Sequence, residues 1–123
     1  MNSIDISLKE AMEINGAIGA ALVDYDSGMM LGSAGGGSEL DLEVAAAGNT
    51  EVVRAKMSTM ASLGIDDAIE DILITLGNQY HLIRLVTTAR GGGLFLYLAL
   101  NKNQANLALA RRQLSDIEAG LVL

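Results

Sequence analysis

The sequence predicts an α+β fold of three layers, α/β/α, built around a central five-stranded antiparallel sheet. Three segments repeat apolar residues at steps of three and four, which is the period of a helix. Five short apolar runs are separated by residues that form turns, mainly Gly, Asn, Asp and Ser. In chain order these segments read helix, strand, strand, helix, strand, strand, strand, helix. No linker or repeat divides the chain, so residues 1–123 are expected to form a single domain.

The first predicted elements are a helix and a β-hairpin. Residues 3–15 place apolar side chains at helical spacing, and Gly16 ends the helix. Two apolar runs, 17–23 and 29–31, follow on either side of the turn-forming segment 24–28. Apolar runs flanking Asp, Ser and Gly are typical of a hairpin.

A long helix, three strands and a last helix complete the chain. The long helix is predicted over residues 42–63, with Ser38 and Asp41 as candidates for its N-terminal cap. The strands are predicted over 69–76, 80–87 and 94–100. Residues 103–121 repeat apolar side chains at helical spacing and predict the last helix.

Two of the predicted strands are apolar on both faces. Residues 17–23 and 94–100 contain almost no polar side chain, whereas a strand exposed on one face alternates apolar and polar residues. These two strands are therefore expected to be central in the sheet. Helices must then cover both faces of the sheet.

The strand predicted over residues 69–76 has an apolar face and little to protect it as an edge. Ile72 and Ile74 lie on one face and Leu73 on the other, and the run contains no Pro or Lys. An unprotected apolar edge strand is an aggregation hazard unless another strand pairs with it. Pairing with the same strand of a second copy would remove the hazard, so Ile72 and Ile74 are predicted to lie at a dimer interface.

The long helix has two contrasting stripes. The stripe predicted to face the sheet contains Leu42, Ala45, Ala46, Val52, Val53, Met57 and Met60. The second contains mostly small residues: Val44, Gly48, Ala55, Thr59 and Ser62. Gly48 costs about 1 kcal/mol relative to Ala inside a helix, a cost that close approach of another backbone would offset. We predict a helix-to-helix dimer contact along this second stripe; the alternative is that small residues simply tolerate solvent.

Three basic residues are candidates for contact with an acidic partner. Arg54 is predicted on the exposed side of the long helix, and Lys56 falls inside its apolar stripe with its ammonium reaching outward. Arg84 shares a strand face with Leu82 and Val86. The alternative interpretation is that all three are snorkelling side chains that keep the surface soluble.

Composition argues against several classes of function. The formal net charge is −7, from 15 acidic and 8 basic residues, and an acidic surface disfavours nucleic acid. The absence of Cys excludes disulfides, thiolate metal sites and a Cys nucleophile. No apolar run approaches the ~20 residues of a membrane helix, and no signal peptide is visible at the N-terminus. A cytoplasmic protein without membrane insertion is the default expectation.

No catalytic, cofactor or metal site is predicted. The glycine clusters lack the Lys that ends a phosphate-binding P-loop, so the chain is not expected to be a GTPase itself. His81 is the single histidine and alternates with Ile83 and Leu85, which favours a packed or surface-edge side chain over a catalytic one. Asp24 and Asp26 lie in a turn, where Asp is favoured for local hydrogen bonds. We therefore expect no enzyme activity.

The order of the elements and three local sequences resemble the roadblock (dynein light-chain) family over nearly the whole chain. These sequences are the hairpin Gly16–Gly28, the start of the long helix at Ala45–Gly48, and the late strand Leu96–Leu100. The resemblance implies a five-stranded antiparallel sheet with the second helix on one face and the outer two on the other. It also implies dimerisation through the second helix and the third strand, and no shared catalytic residues.

The resemblance implies a regulatory role. Bacterial and archaeal roadblock proteins typically accompany small Ras-like GTPases and regulate or scaffold them, whereas eukaryotic members serve dynein or lysosomal signalling complexes. The leading hypothesis is a homodimer whose paired long helices bind a small Ras-like GTPase. The alternatives are a small-ligand sensor of profilin-like or PAS-like shape and a subunit of a heterodimeric adaptor. The sequence does not identify the GTPase, its nucleotide state, or whether hydrolysis is stimulated.

Overall fold

The computed structural model describes residues 2–87 and 92–123, and its elements follow the predicted order. They are α1 (Ile4–Met12), β1 (Ala17–Asp24), β2 (Met29–Gly35), α2 (Leu42–Ser62), β3 (Asp71–Thr75), β4 (Gln79–Leu85), β5 (Leu94–Asn101) and α3 (Leu107–Gly120). The strands form one antiparallel sheet in the order β2-β1-β5-β4-β3. The α+β prediction is confirmed.

Each helix begins at a polar residue whose side-chain oxygen accepts a backbone N–H of the first turn. Ser3 caps α1, Asp41 caps α2 and Asn106 caps α3. The Asp41 Oδ1 accepts from the N–H groups of Glu43 and Val44 at 3.1 and 3.2 Å. These bonds satisfy amides that have no partner within the helix, so they fix where each helix starts.

Two helices are shorter than predicted. The first ends at Met12, because the next two N–H groups bond to carbonyls three positions back and tighten the chain into a turn. The last starts at Leu107, because Asn101 holds the preceding residues in turns: its Oδ1 accepts from the Asn103 N–H at 3.0 Å. Both differences are local hydrogen bonds that the apolar spacing does not encode.

The hairpin is longer on its second strand than predicted. β2 continues to Gly35, past the predicted end at residue 31, although Gly32, Ser33 and Ala34 lack a strand-like pattern. Pairing with β1 extends it, from Asp24↔Met29 to Gly19↔Gly35, with one irregularity in the register. Backbone pairing therefore outweighs the weak strand propensity of small residues here.

Both strands predicted to be central lie inside the sheet, and β5 is the middle strand. Its alternate residues Leu94, Leu96, Leu98 and Leu100 belong to one core cluster, formed with α1 and α3. Phe95, Tyr97 and Ala99 belong to the other, formed with α2. The sheet therefore has an α1/α3 face and an α2 face, which is the predicted three-layer arrangement.

The sheet-facing stripe of α2 is confirmed except at two positions. Leu42, Ala46 and Val53 are buried, but Val52 is 37 % exposed and was assigned to the wrong face. Thr50 takes the inward position instead, with its hydroxyl donating to the Ala46 carbonyl at 2.7 Å. That bond satisfies the hydroxyl, so a polar residue is tolerated where helical spacing demands an inward side chain.

Candidate interaction surface

The outer side of α2 carries the predicted small-residue stripe, which we call the α2 ridge: Val44, Gly48, Ala55, Thr59 and Ser62. All five are exposed. A Cβ added at Gly48 would meet no atom of the protomer within 4 Å, so space is open above the ridge. Small side chains in a row let another backbone come close, which is the property the sequence prediction requires.

β3 forms an edge of the sheet, as the sequence indicated. Within the described residues its partner is β4, with Ile72 opposite Ile83 and Ile74 opposite His81. Ile72 packs against the core of the α2 face, whereas Leu73 packs on the α1/α3 face. Ile72 and Ile74 remain only partly buried on the side of the sheet that carries α2. The predicted interface residues therefore lie on one side of the molecule.

Beside Ile74, His81 takes part in a short chain of hydrogen bonds. Its Nδ1 lies 3.1 Å from the Tyr97 hydroxyl, and its Nε2 lies 2.8 Å from Gln79 Oε1. The rings of His81 and Tyr97 meet edge to face, with centroids 5.5 Å apart. His81 and Ile83 lie on the same face of β4, as the strand alternation predicted, but the polar partners of His81 were not foreseen.

Burial governs the protonation of both rings. It raises the pKa of Tyr97 to about 12 and lowers the pKa of His81 below its ordinary value of 6.5. Tyr97 therefore keeps its proton at neutral pH and donates to His81 Nδ1. The imidazole proton then lies on Nε2, where it is donated to Gln79 Oε1. One neutral tautomer satisfies every group in this chain of bonds.

The three basic candidates do not lie together. Arg54 and Lys56 are both exposed on α2, roughly 200° apart around its axis, so they flank the α2 ridge on opposite sides. Lys56 lies outside the sheet-facing stripe of α2, contrary to the sequence prediction. Arg84 lies on the α1/α3 face, where its Nε donates to Glu118 Oε1 at 3.3 Å.

Glu118 is the residue that sequence reasoning missed. It is 2 % exposed and accepts from Arg84 and from the backbone N–H and hydroxyl of Thr87, both at 3.4 Å. These partners are more than thirty positions away along the chain, so only the fold reveals them. Arg84 consequently joins β4 to α3 within one protomer.

A cleft of about 370 Å³ lies between the C-terminal half of α2 and the end of β4. Met57, Met60, Ile65, Ile69 and Leu85 make much of its lining apolar. A ligand sensor needs convergent polar groups that orient the ligand, and this lining offers few. The cleft therefore gives little support to the small-ligand hypothesis.

Other kinds of site were sought among residues 2–87 and 92–123. No group of three His, Asp or Glu side chains there is arranged to hold a metal ion. Across the same residues, no helix combines the length and the apolar character needed to span a membrane.

Known structures share this architecture, although neither a protein-family model nor a curated protein matches the sequence. The crystal structure of the Roadblock/LC7 domain from Streptomyces avermitilis aligns with a TM-score of 0.78 and 13 % identity, over 96 % of this chain and 93 % of that chain. This is the roadblock fold. The resemblance noted in the sequence is thereby confirmed at the level of the fold.

Two further solved structures are similar. MglB of Myxococcus xanthus aligns with a TM-score of 0.74 and 18 % identity, over 93 % of this chain and 84 % of that chain. An MglB in a tetrameric arrangement aligns with a TM-score of 0.67 and 16 % identity, over 94 % and 87 % respectively. At such identities the likeness concerns the fold, so partners are considered separately.

Proposed function

We propose that this chain is a non-catalytic regulatory or scaffold protein that acts as a homodimer and binds a small Ras-like GTPase. The observation that carries the proposal is that the exposed α2 ridge lies over the same face of the sheet to which Ile72 and Ile74 project from β3, a strand whose outer edge has no partner among the described residues, in a roadblock fold. Ile72 packs partly within the protomer, but the α2 ridge is exposed and Ile74 is only partly buried. Both are suited to contact with a second copy.

Self-association through this side of the molecule would remove two unfavourable features of the free protomer. Pairing of β3 with its own copy would satisfy the free backbone groups of the edge and cover Ile72 and Ile74. Approach of a second α2 would bury Val44, which is 68 % exposed, and use the open space above Gly48. The tetrameric arrangement of an MglB with this fold supports self-association of this kind of domain.

A pair of α2 helices would make a broad surface suited to a protein partner. The sequence resemblance to bacterial and archaeal roadblock proteins suggests that the partner is a small Ras-like GTPase. Arg54 and Lys56 are exposed on α2 and supply positive charge on an otherwise acidic protein. We propose that they contact acidic groups of the GTPase. Arg84 is not part of this surface, since Glu118 binds it on the opposite face.

The homodimer is tested by measuring mass in solution. Light scattering is expected to give 25.6 kDa, twice the 12.8 kDa of one chain. A mass of one chain at high micromolar concentration would contradict the homodimer. Capture of an equimolar second polypeptide from the native lysate would instead favour the heterodimer.

GTPase binding is tested by titration with small GTPases encoded near this protein, each in its GDP and GTP states. We expect binding in at least one state, and the double variant Arg54→Glu, Lys56→Glu should weaken it about tenfold or more. The matched control is the double variant Lys9→Glu, Arg112→Glu, which makes the same change in net charge at exposed positions of α1 and α3. No binding in either nucleotide state, or equal weakening by the control, would contradict the proposed surface.

A further inference from the structure

His81 lies one strand in from the edge proposed to pair with a second subunit. It is opposite Ile74 of β3 on one side and Ala99 of β5 on the other. Directly opposed residues of an antiparallel pair project from the same face, so its imidazole lies on the α2 face beside Ile74. The ring is only partly buried in the protomer. A second copy whose α2 packs over this face beside Ile74 would also cover His81.

The hydrogen bonds of His81 suit its neutral form only. In that form Nδ1 accepts from Tyr97 and Nε2 donates to Gln79. Protonation adds an N–H at Nδ1, and the Tyr97 hydroxyl would have to rotate to accept it. The hydroxyl proton would then lose its acceptor in a residue that is 1 % exposed. A buried donor without a partner is destabilising.

No charged group among the described residues is positioned to offset an imidazolium at this point. The residues facing it from β3 and β5 are Ile74, Ala99 and Tyr97, and burial is the cause of its altered pKa. From α2, the inward residues are uncharged. The charged residues of α2 are all exposed: Glu43, Glu51, Arg54 and Lys56. Asp71 and Arg84 lie on the other face, bonded to Arg111 and Glu118 respectively.

We propose that the second subunit covers His81, so that protonation of this side chain weakens self-association and makes assembly sensitive to mild acid. This inference rests on the proposed homodimer through β3. It makes the strength of that interface depend on pH through the only histidine in the sequence.

The direction of the effect follows from burial. The pKa of His81 is already lowered in the protomer, and further covering lowers it again in the dimer. Separated protomers therefore bind protons more readily than the dimer. Association is strongest above the pKa of the protomer and weakens as pH falls through it. If covering lowers the pKa by one more unit, the two histidines together weaken association by up to about a hundredfold.

The test is the dimer dissociation constant of the full chain, measured by sedimentation between about pH 7.5 and about pH 5, a range that extends to lower pH because burial lowers the pKa of His81. We expect weaker association at the acidic end for the natural sequence. The variants His81→Gln and His81→Phe cannot titrate and should abolish this dependence. An equal pH dependence in both variants would overturn the inference.

A second measurement needs no variant. The imidazole pKa of the natural sequence is followed by NMR at concentrations where monomer or dimer predominates, and it should be lower in the dimer. Equal values would overturn the inference while leaving the homodimer intact. A chain that stays monomeric at every pH would overturn the proposed homodimer and this inference with it.

Discussion

The two faces of the sheet are similar in sequence but are covered differently. On the α1/α3 face, two helices pack over the strands and enclose Leu96, Leu98 and Leu100. On the α2 face a single helix covers the apolar side chains, and Ile72 and Ile74 stay only partly buried. The first face, which we call the completed face, is thus covered by two helices, although Leu73 at its edge is also only partly buried, and the second, open face is covered by one. Apolar content alone does not reveal which face needs a partner; the number of helices available to cover it does.

The polar contacts differ between the faces in the same way. On the α1/α3 face, Arg84 pairs with Glu118, and Arg111 bonds Asp71 through two contacts of 2.9 Å. Both join α3 to the strands near the edge. On the α2 face, the polar chain around His81 contains no ion pair among the described residues. Charged contacts thus fix the completed face, whereas the open face presents neutral groups that a second subunit can cover at low cost.

The largest expected effect on stability comes from truncating the completed face. Leu98→Ala removes a fully buried side chain and should lower the free energy of unfolding by about 3 kcal/mol. Ile74→Ala, at the partly buried edge, should cost the protomer only about 1 kcal/mol. Urea unfolding at several protein concentrations checks this, because dimerisation adds its own stability. Equal losses for both variants in the protomer would remove the contrast between the faces.

For self-association, in contrast, substitutions on the side of α2 are expected to have the larger effect. Gly48→Leu and Ala55→Glu add bulk or charge to the α2 ridge, where the protomer has room for a side chain. Each should weaken dimerisation by about a hundredfold or more while leaving the far-UV circular dichroism spectrum nearly unchanged. Ala108→Glu, on the exposed side of α3, makes the same substitution away from the ridge and serves as control. A Gly48→Leu protein that remains fully dimeric would exclude the ridge from the interface.

The contrast between the faces also explains what the sequence can predict. The inner strands were assigned correctly because both faces of a strand such as β5 are apolar, with Leu96 on one face and Phe95 on the other. The extent of β2 was not, because Gly32 and Ser33 become strand only through pairing with β1. At α2, the predicted stripe included Val52 and left out Thr50, although helical geometry and a local hydrogen bond bury the threonine.

The candidate surface was only partly accessible to sequence reasoning. Its small residues and apolar edge follow helical and strand periodicities, so Gly48 and Ile74 could be found from local patterns. The hydrogen bond from Tyr97 to His81 joins residues that are sixteen positions apart in the chain, and the pair Arg84–Glu118 spans thirty-four. Such contacts depend on strand register and helix docking. Arg84 therefore looked like a free surface charge until the fold was known.

The smallest expected effects concern the ion pairs that anchor α3 to the completed face. Glu118→Gln keeps the shape of the buried side chain but removes the negative charge that pairs with Arg84. It should lower the free energy of unfolding by about 2 kcal/mol. Asp71→Asn weakens the ion pair with Arg111, whose side chain is half exposed. Solvent screening therefore limits the loss in free energy of unfolding to about 1 kcal/mol or less. Unfolding at constant pH measures both. Asp71 belongs to β3, the strand proposed to pair in the dimer, so Asp71→Asn is a test of stability only. Because Glu118 lies on α3, across the sheet from the α2 ridge and outside β3, Glu118→Gln should leave the dimer dissociation constant unchanged. A large change would mean that the completed face also takes part in assembly, and the comparison of the two faces would then be wrong.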